Sequence, residues 1–438
     1  MSHAQLLGRS LVASLVALVL VGCGGGDNAK PDAAVIHDPD ASIDAAGPVT
    51  WPALAAIPLT SPDGSFWGPM FSVGGQMFLM DLDTGSTTTA VAGKGCTTCT
   101  TAGVTPLYMP GTGAVDQHKP TSTQYADGSG WMGEVYKDSV GLGHGTPNLA
   151  IAFGDIATQT SFFLDNSYQG ILGLGAPENA EPDTDSYFDL ARQSGAVPIM
   201  AFELCPTTGT MWLGGFDPTR ASAAPGYTPL VPITVDAPFY SIDISSMSIG
   251  ATAVATSVAD FQEAGVGSPT VDTGTSLFYA PTAVVPKILA AINASAGFQA
   301  VFGPNATLTN LESPSGGCIT KAGVTAAMVD AMLPALTFTV PNKTTGSPDV
   351  SFTVKPMVSY MYDGGANQWC FGIDDDQGGG VTLGDQIMQA FVTIIDLQNQ
   401  QVGFAPDSGC ASHPPARRPI QRSTFRPHLP HPRPHHHH

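Results

Sequence analysis

The stretches MDLDTGSTTT (Met80–Thr89) and TVDTGTSLFY (Thr270–Tyr279) each place an Asp-Thr-Gly triplet behind a strand-like apolar run. Their aspartates, Asp83 and Asp272, lie 189 residues apart. One such triplet is weak evidence, because Asp-Thr-Gly is also a common turn sequence. Two triplets in the same local setting call for an explanation that includes both.

A later pair of short segments extends the repetition. ILG (171–173) follows the first triplet and TLG (382–384) follows the second, so each half of the chain carries the same order of features. This order predicts an internal two-fold repeat. A short helix around Tyr187–Gln193 and a second one within TAVVPKILAAINA (282–294) interrupt otherwise strand-like sequence.

The composition favours a mostly β protein. The chain has 438 residues, of which only 12% are charged, with 50 Gly and 37 Pro. Few charged helix formers and frequent turn residues are typical of short strands joined by turns. The segment after Cys410 holds five Arg and no acidic residue, so residues 1–410 carry 11 basic and 36 acidic groups. Such an acidic surface repels nucleic acid and suits a protein that works in acid, or it only maintains solubility.

Paired aspartates have a specific chemical use. Two carboxyl groups within hydrogen-bonding distance cannot both ionise easily, so one proton is shared between them. The ionised member can accept a proton from water while the protonated member polarises a peptide carbonyl. Small or hydroxyl-bearing neighbours suit the loops that hold such a pair, and these are Thr84, Gly85, Ser86, Thr273, Gly274 and Thr275.

The N-terminus has the features of an export signal. Arg9 precedes the apolar run LVASLVALVL (11–20), which is too short for a comfortable membrane span. The run ends in LVGC (20–23), which resembles a bacterial lipobox, so Cys23 is expected to carry lipid and to anchor the protein to a membrane. An ordinary secretory signal is the alternative. The polar, Gly- and Pro-containing residues that follow predict a disordered tether.

The seven cysteines fit an oxidising compartment. If Cys23 is lipidated, six remain, and six can close three disulfides. The CTTC sequence at 96–99 could alternatively be a redox or zinc pair, but neither a second CxxC nor a nearby His completes a tetrahedral site. We therefore expect no metal and no cofactor.

Taken together, these features resemble the pepsin-type aspartic proteases over residues 66–406. The resemblance implies a mostly β, bilobal, double-barrel fold with an active-site cleft between the lobes. It also implies that Asp83 and Asp272 form the catalytic dyad, with Ser86 and Thr275 as their outer hydrogen-bond partners. YADGSGWMG (125–133) is similar to the flap of this family and puts Tyr125 in the position of the flap tyrosine.

The same resemblance assigns the remaining site residues. Asp127, Gly128 and Trp131 belong to the flap, and the S1 pocket is lined by Phe162, Phe163, Tyr168 and Ile171, which as bare sequence could equally be core residues. The cysteine placement is similar to that of β-secretase and implies the disulfides Cys96–Cys99, Cys205–Cys410 and Cys318–Cys370.

Two positions depart from the family pattern. The family usually has a Trp seven residues after the first catalytic Asp, bonded to the flap tyrosine, whereas this chain has Ala90. Trp131 is the residue that we expect to replace that donor. Asp81 stands where the family has an apolar residue, and it either perturbs the dyad or faces solvent at the edge of its strand.

These features predict an acid-favoured aspartic endopeptidase that prefers hydrophobic residues at the cleavage site. The alternative is a catalytically silent pepsin-fold binding or inhibitor protein. A serine hydrolase is disfavoured because the chain has no GxSxG sequence. We expect a monomer at the bacterial cell surface, outer membrane or periplasm, acting on peptides or proteins, with no nucleic acid partner. The expected segments are a signal peptide (1–22), a tether (23–50), two lobes (51–222 and 223–410) and a basic disordered tail (411–438).

Overall fold

The computed structural model describes residues 50–410 except residues 63, 126–127, 263–266, 312, 376–379 and 409. The predicted signal peptide, tether, lipidation site Cys23 and basic tail lie outside the described residues.

Within the described residues, strands predominate. In the first part of the chain they are β1 (Ala55–Thr60), β2 (Gly68–Val73), β3 (Gln76–Asp83), β4 (Ala90–Ala92), β5 (Val115–Gln124), β6 (Gly130–Gly141), β7 (Leu149–Thr160), β8 (Gly170–Gly173), β9 (Ile199–Leu204) and β10 (Thr208–Leu213). The later strands are β11 (Gly226–Pro229), β12 (Ser246–Ile249), β13 (Thr252–Ala255), β14 (Thr270–Val271), β15 (Phe278–Ala280), β16 (Cys318–Thr320), β17 (Leu336–Val340), β18 (Val350–Val354), β19 (Met361–Gly365), β20 (Gln368–Phe371), β21 (Ile373–Asp375), β22 (Thr382–Leu383), β23 (Phe391–Asp396) and β24 (Gln401–Pro406).

The helices are short. They are α1 (Thr97–Thr101), α2 (Tyr187–Gln193), α3 (Val285–Ala294), α4 (Ala296–Phe302), α5 (Ala326–Met332) and α6 (Asp385–Met388), with 3-10 turns at Pro177–Asn179, Pro218–Arg220, Val258–Asp260 and Pro356–Val358. The two helices predicted from sequence are α2 and α3. No single helix of the described residues is long and apolar enough to span a membrane, and α3 and α4, which would suffice together, are bent by 71° at their junction.

The predicted two-fold repeat exists in the sheet topology. In the first half, β3 pairs parallel with β8, β8 antiparallel with β4, and β4 parallel with β7. In the second half, β14 pairs parallel with β22, β22 antiparallel with β15, and β15 parallel with β21. Each Asp-Thr-Gly triplet therefore lies beside the strand that contains its downstream leucine, Leu172 in the first half and Leu383 in the second.

One sheet connects the two halves. Strands β10 and β9 from the first half continue into β23, β24 and β11 from the second half. Alternation is clear at β1, where Ala55, Ile57 and Leu59 are buried and the residues between them are exposed. The architecture is mostly β and matches the predicted bilobal pepsin-like fold. The lobe boundaries at 222 and 223 remain a prediction.

Two buried clusters matter for the site. The main core runs through both halves and includes Met80, Leu82 and Leu172. A separate cluster, here named the cleft cluster, contains Ala90, Ala92, Cys96, Cys99, Val104, Tyr125, Trp131, Ile156, Phe162, Phe163 and Ile171. Neighbouring residues of β8 thus divide between the two clusters, Ile171 joining one and Leu172 the other, as strand alternation requires.

Candidate active site

The two triplets hold their aspartates in the same way. β3 ends at Asp83, where the backbone N–H groups of Gly85 and Ser86 donate to Oδ1 at 2.7 and 3.0 Å and the Ser86 hydroxyl donates to Oδ2. Asp272 follows β14 and accepts from the N–H of Gly274 at 2.8 Å and from the Thr275 hydroxyl at 2.6 Å. Each carboxylate is therefore fixed by the loop that carries it.

The threonines lock the two loops together. The Thr84 hydroxyl donates to the carbonyl of Val271 at 2.9 Å, and the Thr273 hydroxyl donates to the carbonyl of Leu82 at 2.8 Å. The backbone N–H of each threonine donates to the hydroxyl of the other at 3.1 Å. These four bonds across the two-fold repeat are buried, so they fix the spacing of the loops.

The glycines are required by the close approach of the loops. A Cβ atom at Gly85 would lie 2.5 Å from Oδ2 of Asp272, and one at Gly274 would lie 2.5 Å from Cγ of Asp83. Any side chain at either position would displace the opposite carboxyl group. The two aspartates consequently meet and share a side-chain hydrogen bond.

Burial dominates the electrostatics of this pair. Desolvation raises the pKa of Asp83, although the bonds from Ser86, Asp272 and Gly85 oppose it. Desolvation also raises the pKa of Asp272 well above its usual range, and the negative charge of Asp83 raises it further. The pair therefore ionises in two separate steps and keeps its last proton to a higher pH than an ordinary Asp does.

The β5–β6 hairpin, here named the flap hairpin, contributes Tyr125 and Trp131 to the cleft cluster. At its tip the N–H of Tyr125 donates to the carbonyl of Ser129 at 2.8 Å, and the N–H of Gly128 donates to the carbonyl of Tyr125 at 3.0 Å. Asp127 lies outside the described residues. The ring of Tyr125 is 4% exposed and stacks on Phe162 with centroids 5.5 Å apart.

The structure brings together the residues assigned to the S1 pocket. Phe162, Phe163 and Ile171 are buried in the cleft cluster, and Tyr168 packs against that cluster. The Tyr168 hydroxyl donates to the carbonyl of Phe162 at 2.7 Å, and its ring meets Phe66 at 5.0 Å. Phe162 is thus in direct contact with Tyr125, and the other three residues pack in the same cluster.

Comparison with known proteins identifies the family. The family model described as "Eukaryotic aspartyl protease" matches residues 71–407. The chain belongs to the eukaryotic aspartyl protease family. It is an aspartic-type endopeptidase.

The similar proteins agree with this family. An aspartic protease of Phaffia rhodozyma is 29% identical over 78% of this chain and 76% of its own length. Penicillopepsin-3 of Penicillium janthinellum is 26% identical over 79% of this chain and 80% of its own. A β-secretase of Strongylocentrotus purpuratus is 26% identical over 74% of this chain and 63% of its own.

In this aspartyl protease Ala90 offers no side-chain donor to the hydroxyl of Tyr125. Trp131 donates the hydrogen bond instead. Its Nε1 donates to the Tyr125 hydroxyl at 3.2 Å. The indole extends over Gly154, where an added Cβ would lie 2.7 Å from Trp131 and 3.2 Å from Cβ of Ala90. A small residue at 90 and a glycine at 154 together admit the ring. Gly154 was missed at the sequence level, although a glycine inside a strand is itself a sign of close packing.

Asp81 is not solvent-facing, so that alternative is wrong. The residue is 1% exposed and its backbone pairs with Ile171 of the cleft cluster. The pKa of Tyr125 lies well above its usual range, mainly because the residue is buried and next because of the negative charge of Asp83. The charges of Asp81 and Glu181 raise this pKa by smaller amounts. Nothing in the sequence pattern marked Glu181 as part of this environment.

The three disulfides join the pairs implied by the resemblance: Cys96–Cys99, Cys205–Cys410 and Cys318–Cys370. Glu203, Cys205 and Cys410 bring possible metal-ligand atoms within 4.8 Å of one another. Both sulfurs are in the disulfide and offer no thiolate, and Arg220 donates to Glu203 at 2.7 to 3.1 Å. This group is a structural link between β9 and the end of the described chain.

Proposed function

We propose that Asp83 and Asp272 are the catalytic residues of this endopeptidase and that they act on one water molecule. The observation that carries the proposal is the hydrogen-bonded, buried pair with both pKa values raised. The ionised carboxylate accepts a proton from water, whose oxygen attacks the peptide carbonyl carbon. The protonated carboxyl group donates to the carbonyl oxygen. Proton transfer to the amide nitrogen then accompanies cleavage of the carbon–nitrogen bond.

The support residues keep this pair in place. Ser86 and Thr275 hold the outer carboxylate oxygens, while Thr84 and Thr273 fix the distance between the loops. Pre-organisation matters because small displacements of catalytic groups reduce rates strongly. We assign Gly85 and Gly274 to the same role, since they allow the carboxyl groups to meet.

Acid-favoured activity follows from the shared proton. The pair is active while it holds one proton and loses activity as that proton leaves. The aromatic and aliphatic residues beside Tyr125 support a preference for hydrophobic substrate side chains near the cleavage site. Tyr125 is assigned to contact the substrate, with Trp131 holding its hydroxyl.

The protein is proposed to act outside the cytoplasm as a lipid-anchored monomer. Three disulfides support an oxidising compartment. The lipobox-like sequence supports an anchor at Cys23. If Cys23→Ser leaves the protein as firmly in the membrane fraction as the unaltered chain, the anchor assignment is wrong.

A mixed peptide library tests the proposed chemistry. The purified protein is incubated with the library from acid to neutral pH, with and without pepstatin, and the products are identified by mass. We expect cleavage in acid, inhibition by pepstatin and hydrophobic residues beside most cleaved bonds. Absence of products across the whole acid range, from protein shown to be folded, would refute the proposal.

A further inference from the structure

Strand β18 lies at the edge of its sheet. The strand order is β13, β12, β17, β18, so β18 pairs with β17 on one side only. Among the described residues, no backbone hydrogen bond links the outer side of β18 to another segment. An edge of this kind presents N–H and C=O groups that an added strand can bind.

The register identifies which backbone groups of β18 point outward. The carbonyl of Thr339 on β17 accepts a hydrogen bond at 2.7 Å from the N–H of Ser245, which precedes β12. Thr339 thus directs its backbone groups toward β12, and it forms a non-hydrogen-bonded pair with its register partner Ser351 on β18. The backbone groups of Ser351 therefore point away from β17, and so do those of Thr353. Both residues are exposed.

An open groove of about 400 Å³ follows this edge. The consecutive residues 351–355 line it, so the groove extends along the strand. Its apolar surface includes Leu204 and Phe391, and its acidic groups are Asp330 and Asp407. The groove therefore offers backbone groups, apolar contacts and negative charge to an extended segment.

The described residues end at this groove. Cys410 lines it and is fixed there by its disulfide to Cys205. Residues 411–438, which follow, contain five Arg and no acidic residue, whereas residues 1–410 contain 11 basic and 36 acidic groups. Opposite charge thus favours contact between the C-terminal residues and the rest of the chain.

One segment of the C-terminal residues has the composition of a strand. IQRSTFR (420–426) is the longest stretch without proline after Cys410, and Pro419 and Pro427 bound it. Proline has no N–H to donate to a neighbouring strand, whereas Ile, Thr and Phe favour strands. The nine residues 411–419 reach about 30 Å when extended, which is enough to bring this segment back to the groove.

We propose that the 420–426 segment binds in this groove by adding a strand to the outer edge of β18. Its backbone completes the outward hydrogen bonds of Ser351 and Thr353. Its aromatic residue, Phe425, packs against the apolar surface, and its two arginines meet the two aspartates of the groove. A tethered segment has an effective concentration on the order of millimolar, so it competes well with other chains. The bound segment covers an edge that otherwise can pair with a second molecule.

Hydrogen exchange resolved to single amides tests this binding. In the full chain, the Ser351 and Thr353 amides should exchange about tenfold or more slowly than in a chain that ends at Cys410. The Phe352 amide is the internal control. It points toward β17, so it should exchange slowly in both chains.

Two proline substitutions locate the bound segment. Thr424→Pro removes an N–H within the 420–426 segment and should make the Ser351 and Thr353 amides exchange as fast as in the shortened chain. Leu429→Pro introduces the same residue outside the segment and should leave both amides protected. Both substitutions lie beyond the last disulfide, so they decide the question even if the shortened chain does not fold.

Equal exchange of the two amides in the full chain and in Thr424→Pro would overturn the proposal. Equal loss of protection in Leu429→Pro and Thr424→Pro would also overturn it, because the 420–426 segment would not be the specific occupant. The expected protection is independent of protein concentration. Protection that disappears on dilution would assign the groove to a second copy of the chain and would overturn binding by the protein's own segment. These measurements require no peptidase activity, so their failure is separate from failure of the proposed function.

Discussion

In most of the family, a Trp seven residues after the first catalytic Asp donates a hydrogen bond to the flap tyrosine. Here that position is Ala90, and Trp131 is the donor to Tyr125. We expect Trp131→Phe to lower kcat/KM by about five- to tenfold, because the Tyr125 hydroxyl loses a hydrogen bond worth about 1 kcal/mol. Peptide hydrolysis rates provide the measurement. Trp369→Phe is the control, since that indole donates to Lys321 in the other half of the chain. Equal effects of the two substitutions would show that the hydrogen bond from Trp131 to Tyr125 does not support activity.

The position of the indole also predicts a rescue. In a Trp131→Ala background the volume over Gly154 is free, so Ala90→Trp should recover part of the lost activity. In the wild-type background the same Ala90→Trp change should be harmful, because Trp131 already fills that volume. The two backgrounds thus act as controls for each other.

Asp155 makes stability depend on pH. Burial, then the charges of Glu134 and Asp116, raise its pKa to about 7. An unfolded Asp ionises near pH 4, so between about pH 4 and pH 7 the unfolded state binds fewer protons and the folded protein loses stability as pH rises. Asp155→Asn should therefore raise Tm by a few degrees at pH 7 and change it little at pH 4.

Asp236→Asn is the matched control, because it removes the same charge from an exposed position. Asp236→Asn should leave Tm nearly constant at both pH values. Thermal unfolding followed by circular dichroism is sufficient. If Asp155→Asn shifts Tm equally at pH 4 and pH 7, ionisation of Asp155 is not the cause.

The paired loops owe their geometry to two buried hydroxyl groups. Thr84→Val keeps the shape of the side chain but leaves the carbonyl of Val271 and the N–H of Thr273 without their partner. We expect a loss of about 2–4 kcal/mol in the free energy of unfolding, together with reduced kcat. Thr84→Ser should retain most of both quantities. Urea unfolding and hydrolysis rates measure the two effects.

Thr228→Val is the matched control for the loop prediction. The Thr228 hydroxyl is buried and has no hydrogen-bond partner among the described residues, so its removal should be neutral or stabilising. Comparable destabilisation at positions 84 and 228 would mean that the hydroxyl bonds do not hold the loops together.

Sequence reasoning succeeded where chemistry restricts the residue types. The repeated triplets located both aspartates, their hydroxyl partners and the two-fold order of strands, because few other residues allow two carboxyl groups to meet. It did not establish the burial of Asp81. Alternation of apolar and polar residues predicts which side chains are buried only when one face of the strand is exposed to solvent. Strand β3 is covered on both faces along Met80–Asp83. The parallel and antiparallel pairings also depend on contacts distant in sequence.

The disulfides differ in how much chain they close. Cys205–Cys410 spans 205 residues, whereas Cys96–Cys99 spans three. In the chain-entropy model, Cys205→Ala with Cys410→Ala should cost about 5 kcal/mol of unfolding free energy, against about 2 kcal/mol for Cys96→Ala with Cys99→Ala. Urea unfolding measures both losses. A larger loss from the short loop would contradict the account.

The shared proton of Asp83 and Asp272 is tested most directly by the pH dependence of kcat/KM for wild-type protein and for Asp272→Asn. A pair that works with one proton gives a bell, with one limb for each macroscopic ionisation. We predict a bell within the acid range for the wild type and a loss of about a thousandfold or more in Asp272→Asn, with Asp83→Asn and the double variant scarcely different. Substantial cleavage by folded Asp272→Asn, with a wild-type-like pH profile, would contradict the account.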